Sequence, residues 1–151
     1  MKLAEALNLR ADTQKYIRRL DDRLLNNARV QEGWVPDEQP DHLLEELNRS
    51  IETLTDLIIR INRTNHNTMC ENRTLTEMLA ERDALALRNS IFSSFLTKAS
   101  YPSDRYGRLE GRTFSTVDVA AFHQRVSQNS RKIRELDNKI QCLNWQTDLL
   151  E

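Results

Sequence analysis

Apolar side chains recur every three or four residues along the last third of the chain. They form a five-heptad seam, interrupted at Asn129 and Thr147, made of Val119, Phe122, Val126, Ile133, Leu136, Ile140, Leu143 and Leu150. This spacing puts the apolar side chains on one stripe of a helix. The sequence therefore predicts a long helix, capped by Ser115 with Asp118 at the capping-box position, that packs against other helices.

Three further helices are predicted from the same spacing, at about residues 2–28, 40–65 and 74–99. The second has a heptad frame of its own, with Leu44, Leu47, Ile51, Leu54, Ile58 and Ile61. The third starts at Thr74, with Glu77 as its capping-box partner. Residues 29–39 contain Gly33 and Pro36 and are predicted to form an ordered loop pinned by Trp34.

Short connections between long helices make neighbouring helices antiparallel. We therefore expect an all-α fold, an antiparallel up-down-up-down four-helix bundle with long helices. One irregular loop is expected at about residues 100–115, where Tyr106, Leu109 and Phe114 would anchor it. The length of 151 residues suits a single helical-bundle domain spanning residues 1–151.

The third predicted helix has more apolar positions than one packed face needs. Besides a seam that includes Leu85, Phe92 and Leu96, it has a second seam on another face. We interpret this second seam as a candidate self-association surface, in a coiled-coil-like homo-oligomer, made of Ala84, Leu87, Ile91 and Phe95.

Several seam positions carry amide or guanidinium groups where apolar residues would pack better, including Arg10. Such groups are costly to bury unless they are hydrogen-bonded. One interpretation is that they set the register and the oligomeric state, as a buried Asn does in a coiled coil. The other is a polar pocket that binds a small anion, with these candidate residues: Asn62, Arg63, Asn65, Arg82, Asn89, Asn129 and Trp145.

Composition limits the possible chemistry. The formal net charge is −1 with 30% charged residues, so no overall field attracts nucleic acid. The three glycines exclude a P-loop or dinucleotide fingerprint. Neither a Glu-x-x-His pair nor a C-x-x-C spacing occurs, and no nucleophile elbow is present. We predict a protein without catalytic activity, and no catalytic, cofactor-binding or metal-binding residue is assigned.

Neither a signal peptide nor a stretch of about 18 apolar residues is found, so a cytoplasmic protein is expected. Cys70 and Cys142 are then expected to stay reduced, because the cytosol keeps thiols free.

Seven segments occur in order along nearly the whole chain: KLAEAL at 2–7, LLNNARVQEG at 24–33, RINRTN at 60–65, RTLTEMLAERD at 73–83, DRYGR at 104–108, STVDVAA at 115–121 and LNWQTDLLE at 143–151. The chain thereby resembles a family of small bacterial all-helical proteins of unknown function, some members of which carry the name septicolysin. That name implies a pore-forming cytolysin. The resemblance brings no catalytic residues, and Asn72 stands at a turn where the family is expected often to have Gly.

Three functions are therefore open. The leading one is a self-associating structural or interaction module without catalytic activity. The first alternative is a membrane-active, septicolysin-like protein whose amphipathic helices open onto a bilayer. The second is a small-ligand-binding bundle that uses the polar pocket.

Overall fold

The part of the chain that the structure describes folds into four long helices. A computed structural model describes residues 1–101 and 113–151, with α1 at Leu3–Asn26, α2 at Pro40–Asn67, α3 at Leu75–Ala99 and α4 at Val119–Gln146. The predicted all-α class with long helices is confirmed. The predicted irregular loop at 100–115, with Tyr106 and Leu109, lies mostly outside the described residues.

Helix starts follow local capping chemistry. Pro40 occupies the first position of α2, where its missing N–H costs nothing. The cap of α4 is Asp118, whose Oδ1 accepts a hydrogen bond from the Ala121 N–H at 3.1 Å. Ser115 was expected in that role, but its hydroxyl instead accepts the N–H of Val117 at 3.4 Å in the preceding turn. The Asp118 cap explains why α4 begins at Val119.

The chain divides into two compact units. The first comprises Met1–Leu75 and Gln141–Glu151, and the second comprises Thr76–Ile140. The prediction of one domain over residues 1–151 stays a prediction.

In the first unit, α1 and α2 form an antiparallel hairpin. The Tyr16 hydroxyl donates to Glu46 at 3.0 Å, and Arg23 bonds to Glu38 near the loop end. The buried apolar side chains of the hairpin are Leu3, Ala4, Ala6 and Leu20 on α1 and Leu43, Leu57 and Ile61 on α2.

One of the two rows in the predicted heptad frame of α2 is displaced by one position, while the row of Leu47, Leu54 and Ile61 faces α1 as predicted. Leu44 and Ile51 are 46% and 45% exposed, whereas Leu43 and Leu57 are buried. Residues 43, 50, 57 and 64 are one heptad apart and face α1 together with residues 47, 54 and 61. The positions at 44 and 51 consequently lie beside the packed seam rather than in it.

The C-terminal segment closes the first unit. The Leu3 N–H donates to the Thr147 carbonyl and the Leu149 N–H donates to the Met1 carbonyl, both at 2.9 Å. Leu150 N–H donates to the buried Thr64 hydroxyl at 2.9 Å. These bonds end α4 at Gln146, although the sequence favoured a helix to the end of the chain.

A short β-hairpin precedes α3. Met69–Cys70 (β1) pairs antiparallel with Arg73–Thr74 (β2). The two connecting residues, Glu71 and Asn72, have φ values of 50° and 63°. Positive φ at both central residues is the requirement of a type I′ turn, and Asn72 thus adopts the left-handed conformation that glycine would also favour.

In the second unit, α3 and α4 also form an antiparallel hairpin. Contacts between residues 82 and 137, 89 and 130, and 95 and 122 follow one register. Among the residues of this unit that the structure describes, the buried apolar ones are Met78, Leu136 and Ile140.

Candidate functional site

Aromatic rings join α3 to α4 in the half of their hairpin that contains the end of α3 and the start of α4. The Phe122 ring centroid lies 5.3 Å from that of Phe92 and 5.1 Å from that of Phe95. The Arg125 guanidinium lies 5.5 Å from the Phe92 and Phe122 centroids. These contacts tie α3 to α4 but do not bury the rings completely.

Two of the predicted pocket residues form a polar layer across the same hairpin. The Asn89 amide donates to the Ser130 hydroxyl at 2.9 Å, and Arg88 donates to Asn129 Oδ1 at 3.4 Å. Asn129 is buried. Asn89 Oδ1 is also buried and has no hydrogen-bond partner among the described residues. A layer of this kind fixes the register of α3 against α4, because slippage would leave more amide groups unsatisfied.

Arg82 lies at a third polar contact and is already neutralised. Its guanidinium donates to Asp83 at 2.9 and 2.7 Å and to Asp137 at 3.5 Å. The hydrogen bonds with Asp83 raise the pKa of Arg82 above its ordinary value, against a smaller lowering by burial. An anion at Arg82 would have to compete with two carboxylates.

The other pocket residues belong to the first unit. Asn62, Arg63 and Trp145 are exposed and Asn65 is half-buried. Arg63 donates to the main-chain oxygen of Glu151. The seven predicted residues are therefore divided between the two units, and a common polar pocket stays a prediction.

The predicted self-association residues lie together on one face of α3. Leu87, Ile91 and Phe95 are 65%, 59% and 42% exposed, and Ala84 is also exposed. We call these four residues the α3 stripe. The adjoining face of α3 turns half-buried side chains to α4, namely Leu85, Asn89, Phe92 and Leu96. Phe95 still contacts Phe122 of α4 with one edge, whereas Leu87 and Ile91 are the apolar part of the α3 stripe that is mostly exposed.

In the half of the second unit formed by the end of α3 and the start of α4, no apolar side chain among the described residues is fully buried. Between residues 79 and 101 and between 113 and 135, the single buried residue among those described is Asn129. Two helices alone cannot surround a side chain, so a hairpin of this kind gains stability from a further helix layer. The α3 stripe is the apolar surface on which such a layer would pack.

The loop between α1 and α2 differs from its prediction. Trp34 was expected to pin the loop, yet it is 71% exposed. The loop is closed by the buried Asn27, whose amide donates to the Arg23 carbonyl at 2.9 Å and whose Oδ1 accepts the Glu38 N–H at 3.0 Å. Sequence reasoning missed this role; the signal available was an Asn one residue beyond the helix end.

Over residues 1–101 and 113–151, no helix is long and apolar enough to cross a membrane. The same residues contain no group of three or more His, Cys, Asp or Glu side chains arranged to hold a metal ion.

The fold and these surfaces define a class of all-α protein built from two long helical hairpins. Residues 10–149 match the model described as "Family of unknown function (DUF6847)", and the chain belongs to that family. The chain is similar, with 38% identity and a TM-score of 0.94, to a solved structure titled "Crystal structure of a functionally unknown conserved protein from Corynebacterium diphtheriae". The match covers 99% of each chain. No curated protein matches the sequence.

Proposed function

We propose that this protein is a non-catalytic, cytoplasmic helical module that associates with a second copy of itself through the α3 stripe. The observation that carries the proposal is the exposure of Leu87, Ile91 and Phe95 on a hairpin half in which no apolar side chain among the described residues is fully buried. A second α3 stripe packed on the first would supply the missing helix layer and make a four-helix arrangement from two hairpins.

Charge favours an antiparallel pairing of the two α3 helices. Asp83 and Lys98 flank the α3 stripe at its two ends. An antiparallel pair centred between Ser90 and Ile91 brings Asp83 of each copy opposite Lys98 of the other. Ser90 and Ser94 are small, so the two helices can approach closely at the centre.

The strength of the association follows from the exposed area. Fully burying a Leu, Ile or Phe side chain contributes about 1.5–3 kcal/mol, and these three side chains have roughly half of that still to gain. Six such side chains in a dimer give a gross gain of roughly 5–9 kcal/mol, against an association cost of at least about 4 kcal/mol. The difference is at most about 5 kcal/mol, and the two Asp83–Lys98 pairs at the rim add up to about 1–2 kcal/mol. The upper end of this range corresponds to a weak dimer with a Kd of about 10–100 μM.

Sedimentation velocity from about 5 to 300 μM protein tests the proposal, and the chain provides a matched control. In the test variant Leu87→Gln and Ile91→Gln remove the centre of the α3 stripe. In the control variant Leu44→Gln and Ile51→Gln remove two side chains of similar exposure on α2.

We expect the test variant to weaken association at least ten-fold and the control to leave it unchanged. A wild type that stays monomeric at about 300 μM overturns the proposal. A loss of association in the control variant alone would move the interface to α2.

Two other functions are distinguishable with the same samples. The septicolysin name implies membrane activity, which predicts dye release from liposomes at micromolar protein. A small anion bound at the predicted polar pocket predicts a rise in melting temperature with phosphate that Arg63→Gln abolishes. We place both behind self-association because the exposed stripe supports that function directly.

A further inference from the structure

The loop between α1 and α2, residues 27–39, is held in one conformation by polar contacts. Asn27 bridges its two ends, as described above. Arg23 adds a forked ion pair with Glu38, with Nε···Oε2 and Nη2···Oε1 distances of 3.0 and 2.5 Å. These hydrogen bonds raise the pKa of Arg23 and lower that of Glu38. A turn with a hydrogen bond from the Trp34 N–H to the Gln31 carbonyl at 2.9 Å includes Gly33 at φ 82°.

This ordered loop presents its large apolar side chains to solvent. Trp34 and Val35 are 71% and 78% exposed, and Val30 is also exposed. Together with Pro36 they form one side of an open cleft of about 390 Å³. Trp is enriched at the hot spots of binding interfaces, and a preorganised loop loses little entropy on binding. An ordered loop with an exposed indole therefore has the properties of a binding hot spot.

The charge of the cleft selects the kind of partner. Asp37 lines it and, among the described residues, has no hydrogen-bond or ion-pair partner. Glu32 adds negative charge to the loop, against Arg29, whereas the charge of Glu38 is neutralised by Arg23. The face of an indole attracts a cation, and a nearby carboxylate strengthens that attraction. The same negative charge disfavours an anionic lipid surface.

We propose that the cleft between Trp34 and Asp37 docks a segment of a partner protein that carries a Lys or Arg beside an apolar side chain. The stem of the basic residue lies on the indole while its cationic group reaches the Asp37 carboxylate. The apolar neighbour packs against Val30 and Val35. This surface belongs to the first unit and does not depend on self-association through the α3 stripe.

A peptide titration followed by amide NMR shifts of the full-length protein tests the site. The probe is the amidated peptide acetyl-Leu-Arg-Leu-Arg, and its matched control is acetyl-Leu-Glu-Leu-Glu. We expect shifts concentrated at residues 26–39, at least ten-fold tighter binding of the basic peptide, and weakening by added salt.

Variants test whether Trp34 and Asp37 bind the peptide. Trp34→Ala and Asp37→Asn should each weaken the basic peptide at least five-fold, whereas the controls Leu25→Ala and Glu45→Gln should not. Circular dichroism and melting temperature show that each variant is folded. Equal shifts with both peptides, no shifts at about 5 mM peptide, or shifts produced only by phosphatidylcholine vesicles would each overturn the proposal.

Discussion

Replacing Leu20 by alanine tests where the α1–α2 hairpin has its core. Leu20 is 0% exposed, and from residue 7 to residue 56 the other buried apolar side chain among those described is Leu43 at 3%. The other buried apolar side chains of this hairpin lie at the end away from the loop, at residues 3–6 and 57–61. The loop half of the hairpin therefore depends on very few apolar side chains.

The magnitude follows from burial and from the surroundings. Leu→Ala substitutions in protein cores cost about 2–5 kcal/mol, and the cost grows with the cavity that remains. Leu20 lies in a two-helix hairpin whose outer faces meet solvent, so its neighbours can move inward and shrink the cavity. We therefore expect the lower part of that range, about 2–3 kcal/mol. Leu25, five residues along the same helix, is 68% exposed and provides a matched control, with an expected effect below about 0.5 kcal/mol for Leu25→Ala.

Urea denaturation followed by circular dichroism measures both variants, and native-state hydrogen exchange locates the loss. Amides at residues 15–25 and 40–50 should exchange faster in Leu20→Ala, while those at 57–64 change less. If Leu20→Ala costs no more than Leu25→Ala, the reasoning that places the core of this hairpin half at Leu20 and Leu43 fails.

Three smaller predictions follow from particular contacts. Asn27→Ala removes the acceptor of the Glu38 N–H and should cost about 1–3 kcal/mol in urea unfolding; no loss would mean that water replaces the amide. Replacing Glu71 with Asn and Asn72 with Gly installs the pair that type I′ turns favour, and the melting temperature should rise by a few degrees, whereas a decrease would contradict the assigned turn. Ion pairs hold the pKa values of Glu38 and Asp148 below their ordinary 4.5 and 3.8. The two ion pairs therefore stabilise the folded state fully at pH values above these ordinary pKa values. This stabilisation is lost as the pH falls through the lowered pKa values of the folded protein. A Glu38→Gln, Asp148→Asn variant should therefore lose less stability than wild type on acidification, and equal acid sensitivity would argue against this cause.

The helices of this fold were predictable, whereas the orientation of one of them was not. The apolar positions of α2 contain two overlapping heptads, one through Leu43 and Leu57 and the other through Leu44 and Ile51. Both satisfy the same spacing rule, so counting does not choose between them. In the structure Leu43 and Leu57 are buried and Leu44 and Ile51 are not, and Tyr16 on α1 bonds to Glu46 across the hairpin in this orientation.

The exposure of the α3 stripe was predictable because α3 has more apolar positions than one partner can cover. The exposure of Trp34 was not. A large aromatic residue beside Gly33 and Pro36 is usually assumed to anchor its loop, since indoles bury a large apolar area. Here the Asn27 bridge and the Arg23–Glu38 ion pair close the loop, and these contacts join residues 11 and 15 positions apart. A local pattern contains no sign of such a pairing.

Among the described residues, α2 and α3 each leave an apolar stripe exposed, Leu44 with Ile51 on α2 and the α3 stripe on α3. The residues beside each stripe determine which one can bind a second helix more favourably. Leu44 and Ile51 are separated along their face by Asn48 and flanked by Glu45 and Glu52. A helix that packs there must remove water from carboxylates, which offsets much of the apolar gain. The α3 stripe has the small residues Ser90 and Ser94 beside its centre, which let a second helix come into dispersion contact. The charges at its ends, Asp83 and Lys98, would pair with each other across an antiparallel dimer and so would not be left unpaired. For this reason the Gln variants of α3, rather than those of α2, are expected to abolish association.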